Sequence, residues 1–170
     1  GGSDKGAFRL GYTRNVDKGV LPNSEIVKNL INFSASYDIV ENLTASASIN
    51  FSDIEGLGRY GTGYDSRNIM TNYRQWWQTN VDVLEQKEAY FRTGQNATWN
   101  QSGVGAAFSP IFWDNPYWTR YENYQNDDRS RYFGYIDLNY KINDWLSASG
   151  KISLDSHDEL QEERIAVGSI

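Results

Sequence analysis

Two stretches of this chain superimpose without a gap, and both are built on a strict two-residue period. Tyr37 to Asp53 reads YDIVENLTASASINFSD, and Tyr140 to Ser156 reads YKINDWLSASGKISLDS. Tyr37 falls on Tyr140, Ile39 on Ile142, Leu43 on Leu146, Ala45 on Ala148, Ser46 on Ser149 and Ile49 on Ile152. Each unit reads as a strand end, a tight turn and a new strand. The turns are Val40-Glu41-Asn42 and Asn143-Asp144-Trp145. Asn and Asp suit them because their side chains bond the local backbone and tolerate left-handed conformations.

The flanking segments alternate throughout. Ile31, Phe33, Ala35, Tyr37 and Ile39 share one phase, against Leu30, Asn32, Ser34, Ser36 and Asp38. After the turn, Leu43, Ala45, Ala47, Ile49 and Phe51 oppose Thr44, Ser46, Ser48, Asn50 and Ser52. The second unit repeats this with Ile136, Leu138, Tyr140 and Ile142, then Leu146, Ala148, Gly150, Ile152 and Leu154. An earlier strand carries Phe8, Leu10 and Tyr12. Period two over such lengths predicts strands.

Every charge inside these strands falls in the polar phase: Arg9, Asp38, Asp137, Lys141, Lys151 and Asp155. Two architectures ask for that. In a transmembrane barrel, a lipid-facing Lys or Arg at the bilayer midplane costs about 2–4 kcal/mol. In a soluble β-sandwich, the apolar face is the core between two sheets. Alternation alone favours neither. Three further features favour the barrel. The strands run to about ten residues, the length that crosses a bilayer when tilted. The connections are asymmetric, with tight turns at one end and long segments at the other, Arg14 to Val27 and then Ile54 to Ser130. Outer-membrane barrels have short periplasmic turns and long extracellular loops. Aromatic residues also gather near strand ends, at Tyr37, Phe51, Tyr140 and Trp145. On the barrel reading, Ile31, Phe33, Ile39, Leu43, Ile49, Phe51, Ile136, Leu138, Leu146, Ile152 and Leu154 face lipid.

Composition narrows the function. There is no cysteine among the 170 residues, hence no disulfide or thiolate chemistry, and a single histidine, His157, excludes a multi-histidine metal site. A net charge of -6 argues against nucleic acid, which asks for a basic surface. No apolar run approaches the roughly 20 residues of a membrane helix, which leaves spanning strands open. The opening GGSDKGAFRLGY lacks the basic start and apolar stretch of a signal peptide, so the expected start is internal to a longer protein.

The long loop carries its own signals. From Ser66 to Phe91 the residues Ile69, Tyr73, Trp76, Trp77 and Leu84 recur at helical spacing, and Asp65 or Ser66 is placed to cap a helix near 66–91. Trp76 and Trp77 would serve as a ligand platform or pack the helix onto its surroundings. Further on, Trp113, Asp114, Asn115, Tyr117, Trp118, Tyr121 and Tyr124 form the densest aromatic cluster, with Arg120 among them. Flat rings with polar edges suit a sugar or a protein partner. The same rings would equally hold a long loop together. No catalytic residue is assigned, because Asp155, His157 and Asp158 have no accompanying nucleophile motif. The run Asn126 to Arg131 lacks the spacing of a calcium loop, and no metal or cofactor is expected.

WDNPYW at Trp113 to Trp118, the following YENY and DDRSRYFGYIDLNYKINDWLSASGKISLD resemble the barrel of SusC/RagA TonB-linked outer-membrane proteins of Bacteroidota. GGSDKGAFRLGYT, KGVLPNSEIVKNLINFSASYDIVENLTASASINF and QEERIAVGS fit the same family in the same order. The resemblance implies an all-β fold: an antiparallel segment of about five or six strands from a closed barrel of about 22. It implies import of glycans, oligosaccharides or peptides at the bacterial outer membrane. The implied partners are a SusD-like surface lipoprotein acting as a lid, outer-membrane lipid, and TonB-ExbB-ExbD reached through parts of the chain not present here. The loop cluster from Trp113 to Tyr124 would touch the lid or the substrate.

The expected organisation is barrel strands over 1–53, a long extracellular loop over 54–130, a hairpin over 131–156 and the start of another loop over 157–170. Plug domain and TonB box are absent from these residues. Single-chain barrels have at least about eight strands, so we expect a fragment. Two other readings stay open: a barrel retained as a structural or assembly partner, and a soluble β-sandwich module that binds carbohydrate.

Overall fold

In the computed structural model, the described residues are 1–59, 61–64, 68–71, 73–74, 77–104 and 109–170. The chain is mostly β. Strands β1 (Gly2–Ser3), β2 (Gly6–Lys18), β3 (Glu25–Val40), β4 (Leu43–Leu57), β5 (Tyr124–Lys141) and β6 (Ser147–Arg164) form one antiparallel sheet. Its spatial order is the chain order, β1-β2-β3-β4-β5-β6, so the sheet is an open meander rather than a closed barrel. Three short helices complete the described structure: α1 (Ile69–Thr71), α2 (Val83–Thr93) and α3 (Pro116–Tyr121).

The hairpin turns fall where the Asn and Asp residues predict. β3 returns as β4 through Glu41 and Asn42, and β5 returns as β6 through residues 142–146. In the second turn Ile142 and Asn143 both donate their amides to the Leu146 carbonyl, at 3.0 and 3.1 Å. Asn143 Oδ1 accepts the Trp145 amide at 3.1 Å.

The strands are longer than their alternation suggests. β3 and β4 have 16 and 15 residues, and β5 and β6 have 18 each. The first long connection therefore shrinks from the expected 14–27 to residues 19–24. It closes tightly, with the Gly19 amide on the Ser24 carbonyl at 2.9 Å and Ser24 Oγ on the Leu21 carbonyl at 2.7 Å. Likewise β5 begins at Tyr124 rather than 131, and β6 runs on to Arg164 where a loop was expected from 157. The extensions are mostly polar, with Val16, Ile26, Val27 and Leu160 too few to set an alternation, so the ladder continues with little apolar signal.

The chain divides into two compact units. The first comprises 1–17, 26–55 and 128–160, which is most of the sheet. Its polar phase is knit across strands: Asn32 Nδ2 donates to Asn50 Oδ1 at 2.6 Å, Thr44 Oγ1 to Asp38 Oδ1 at 2.7 Å, and Ser46 Oγ to Ser36 Oγ at 3.3 Å. Arg131 grips Asp155 with two bonds of 2.8 and 2.5 Å. The apolar phase lies opposite, with Phe51 and Tyr132 stacked at 5.4 Å. Gly134 marks a close approach of β5 to β4. A Cβ there would overlap the Ser48 carbonyl oxygen and sit 3.0 Å from the Ile49 Cα.

This unit has no buried side chain among its described residues. Ile31, Ile39, Ile49, Ile136, Leu138, Leu146, Ile152 and Leu154 are all exposed, Ile152 to 80% and Leu154 to 66%. Phe33, Leu43 and Phe51 are half-buried. Burying such a side chain is worth about 1.5–3 kcal/mol, so the apolar face forgoes a large stabilisation. The described strands all belong to this one sheet.

Candidate functional site

The second unit comprises 18–25, 56–127 and 161–170. Every fully buried residue that the structure describes lies here, between Gly58 and Arg120. Few are apolar: Ile69, Tyr90, Ala97 and Trp113 are accompanied by nine buried polar or charged residues, Asn96, Asn100, Asp114, Asn115 and Arg120 among them. A core of this kind asks that nearly all its polar groups find partners; Gln86 Oε1 is one that does not.

Its helices differ from the expected one near 66–91. The described structure has a helical turn at Ile69–Thr71, π-helical backbone at Tyr73 and Arg74, and a separate 11-residue helix at Val83–Thr93. Asp82 starts α2 by accepting the Leu84 amide at 2.8 Å, and Gly94 ends it at φ 64°, its amide on the Tyr90 carbonyl at 2.8 Å. Thr79, Asn80 and Asp82 compete with the helical backbone and favour caps and turns, which breaks the pattern between Trp77 and Val83. Trp77 packs locally: its ring lies 4.9 Å from Tyr73 and 6.4 Å from Trp99, and its Nε1 donates to the Val81 carbonyl at 3.0 Å. The proposed caps Asp65 and Ser66, and Trp76, lie outside the described residues.

The cluster around Trp113 divides into an interior and a surface. Asn115 is wholly buried. Its Nδ2 donates to the Gln86 and Ala97 carbonyls at 2.8 and 2.6 Å, and its Oδ1 accepts the Tyr117 amide at 2.8 Å. That last bond caps α3, with Pro116 at the first helical position, where its missing N–H costs nothing. Asn100 Oδ1 collects the amides of Ile111, Phe112 and Trp113, and its Nδ2 donates to the Trp113 carbonyl at 2.9 Å. Asp114 accepts from Asn96 Nδ2 at 2.7 Å and from the Ile170 amide at 3.1 Å. Burial pushes its carboxyl above the usual range, and the hydrogen bonds to Asn96, Ile170 and Asn123 oppose that. Trp113, Asp114 and Asn115 are thus buried members of the loop's frame.

Arg120 is also interior. Its Nε donates to the Pro22 carbonyl at 2.8 Å, and Nη2 to the carbonyls of Asn23 and Gly58 at 3.2 and 2.5 Å. Asn23 and Gly58 have φ of 52° and 71°. Asn23 Nδ2 donates to the Arg120 carbonyl at 2.8 Å. Desolvation lowers the guanidinium's affinity for its proton, though Arg keeps its charge.

The accessible rings are others. Phe91 of α2 is 55% exposed and lies 5.9 Å from Tyr117 and 5.3 Å from Tyr121, both in α3. Tyr121 stacks on Tyr90 at 5.7 Å, and Tyr90 donates its hydroxyl to Glu122 Oε1 at 2.7 Å. Burial and that bond push the Tyr90 phenol up. Trp118 is half-buried, its indole N–H on Ser169 Oγ at 2.7 Å. Tyr124 stands apart at the start of β5, beneath Arg164 at 5.4 Å. Of the seven residues read from the sequence, Tyr117 and Tyr121 each meet Phe91, which nothing in the pattern singled out.

Asn126 to Arg131 lies within β5, where successive side chains point to opposite faces, so it is not a metal loop. No group of three or more His, Asp or Glu that could hold a metal is found among the described residues. Neither a family model nor a curated protein matches the chain.

Proposed function

We propose that this chain is a wall segment and extracellular loop of an outer-membrane importer of the SusC/RagA kind. It would belong to a closed barrel that takes up glycans, oligosaccharides or peptides with energy from TonB, beneath a SusD-like lipoprotein lid. One observation carries the reading. Within the first unit, long antiparallel strands present an exposed apolar face opposite a polar one, and no described side chain of that unit is buried. Lipid covers the first and a water-filled lumen suits the second. The loop's contact with lid or substrate then falls to Phe91, Tyr117 and Tyr121 rather than to Trp113, Asp114 and Asn115.

The test is a pair of labels one residue apart in the protein reconstituted into vesicles. A fluorophore on Ile152→Cys should be quenched by lipids brominated in their acyl chains. One on Ser153→Cys should be quenched by aqueous iodide instead. Equal quenching of both positions by either agent would overturn the reading. An intact mass several times 19.4 kDa in the native outer-membrane fraction is also expected.

A further inference from the structure

We propose that the cleft formed by Asn96, Asp114, Trp118 and Asn123 is a peptide-binding site, filled in this chain by its own residues Ala166 to Ile170 acting as a strap. This stands independently of the transport reading.

The strap is a β-turn. The Ser169 amide returns to the Ala166 carbonyl at 3.1 Å, and Gly168, in the third position, takes φ 101°. Its neighbours grip the backbone: Asn96 Nδ2 donates to the Gly168 carbonyl at 2.9 Å, Asn123 Oδ1 accepts the Ala166 amide at 2.8 Å, and Asp114 Oδ1 accepts the Ile170 amide at 3.1 Å. The one side chain recognised is a hydroxyl. Ser169 Oγ accepts from the Trp118 indole at 2.7 Å and donates to Asn123 Oδ1 at 2.8 Å.

Two properties make this a site rather than ordinary packing. The receiving groups are held by contacts that do not involve the strap: Asn96 Nδ2 donates to Asp114 Oδ1 at 2.7 Å, Asn96 Oδ1 accepts the Asn115 amide at 2.9 Å, and Asn123 Nδ2 donates to Asp114 Oδ2 at 3.5 Å. The strap fully buries no large apolar side chain: Val167 is 101% exposed and Ile170 49%. A segment with so little apolar burial lies at the low-stability end of local opening. Once it leaves, Asn96, Asp114, Trp118 and Asn123 are short of partners that another peptide can supply, and leaving them unpaired is costly. The specificity follows from the geometry: a turn with Gly third, because other residues rarely adopt that φ, and Ser or Thr fourth.

The experiment titrates a dye-labelled acetyl-Ala-Val-Gly-Ser-Ile-amide into the full chain in detergent, following anisotropy. Gly168→Val cannot hold the turn, while the space at that Cβ is open apart from Trp118 Cζ2 at 3.8 Å, so it unseats the strap without a clash. This variant should bind the peptide at least tenfold more tightly than wild type, with faster amide exchange at Ala166 and Ile170. The same peptide with Ala in place of Ser should bind at least fivefold more weakly. Exchange-competent strap amides without saturable binding would overturn the proposal. So would equal affinity in wild type and variant, or strap amides that stay protected. Should Gly168→Val not fold, Ser169→Ala removes the hydroxyl bonds without backbone strain. It should raise peptide affinity at least threefold, and an unchanged affinity would overturn the proposal equally.

Discussion

Replacing Asn115 with Ala tests whether the loop is organised from its polar interior. The substitution removes three bonds: one to the Tyr117 amide and two from Nδ2 to the Gln86 and Ala97 carbonyls. Loss of an N-cap costs about 1 kcal/mol. Each buried carbonyl deprived of its donor adds roughly 1–3 kcal/mol, less where local relaxation supplies another partner. The total is about 3–5 kcal/mol, which corresponds to roughly a hundredfold to several-thousandfold faster local opening. Amide hydrogen exchange read by mass spectrometry resolves this by segment. Peptides covering α2 and α3 should exchange faster by that factor, and those within Tyr132–Lys141 and Ser147–Asp158 should not change. Asn115→Ser keeps a capping oxygen and should recover about 1 kcal/mol. Asn115→Asp keeps the cap but turns the donor into an acceptor facing two carbonyls, so it should cost at least as much as Ala. An effect of Asn115→Ala below about fivefold would refute the reasoning, because it would mean that the loop rests on its rings instead.

Three further outcomes follow from single contacts. Arg120→Lys replaces a planar fork that reaches three carbonyls with one ammonium, and should loosen the loop by about 2–4 kcal/mol, seen as limited proteolysis near residues 19–24 and 57–59. Gly134→Ala forces β5 away from β4 and should speed amide exchange at Ser48 and Ile49, with a cost of about 1–3 kcal/mol from overpacking. Burial pushes the Tyr73 phenol up to about 12 from its ordinary 10, so its neutral form is favoured in the folded loop. The stability it contributes is complete below pH 10 and fades as pH rises toward 12. Tyr73→Phe should therefore flatten loop unfolding in that window, measured by near-ultraviolet circular dichroism.

Much of the sheet was legible because a half-exposed strand writes its two faces into alternate residues. Ile31 to Ile39, Leu43 to Phe51 and Ile136 to Tyr140 are strands where their period predicts them. The ends were not legible. Tyr124 to Arg131 and His157 to Arg164 carry no apolar alternation, Leu160 standing alone, and a ladder held by backbone bonds needs none. The loop was less legible for a related reason. Asn96, Asn100 and Asn115 have the composition of a surface turn, and only tertiary partners make them a core. One local signal was available: Asn115-Pro116 is a cap followed by a first-turn proline. Phe91 carried no signal, since its exposure beside Tyr117 and Tyr121 depends on how α2 meets α3.

The open edges and the bare face make the same demand. Among the described residues, the 18-residue β6 is an edge of the sheet. In water, a long edge beside exposed Ile152 and Leu154 is a template for association with other chains. In lipid, unpaired backbone groups along that edge would cost several kcal/mol each. Further strands that close the sheet remove the edge, and lipid then covers the apolar face; neither alone meets both needs. The 170 residues refolded in water should therefore associate, and detergent should shift them toward smaller species by covering the apolar face without closing the edge. Sedimentation velocity in the two solvents distinguishes the cases. A cooperative, detergent-free monomer would mean that the apolar phase finds its cover within the chain, and the membrane reading would fall with it.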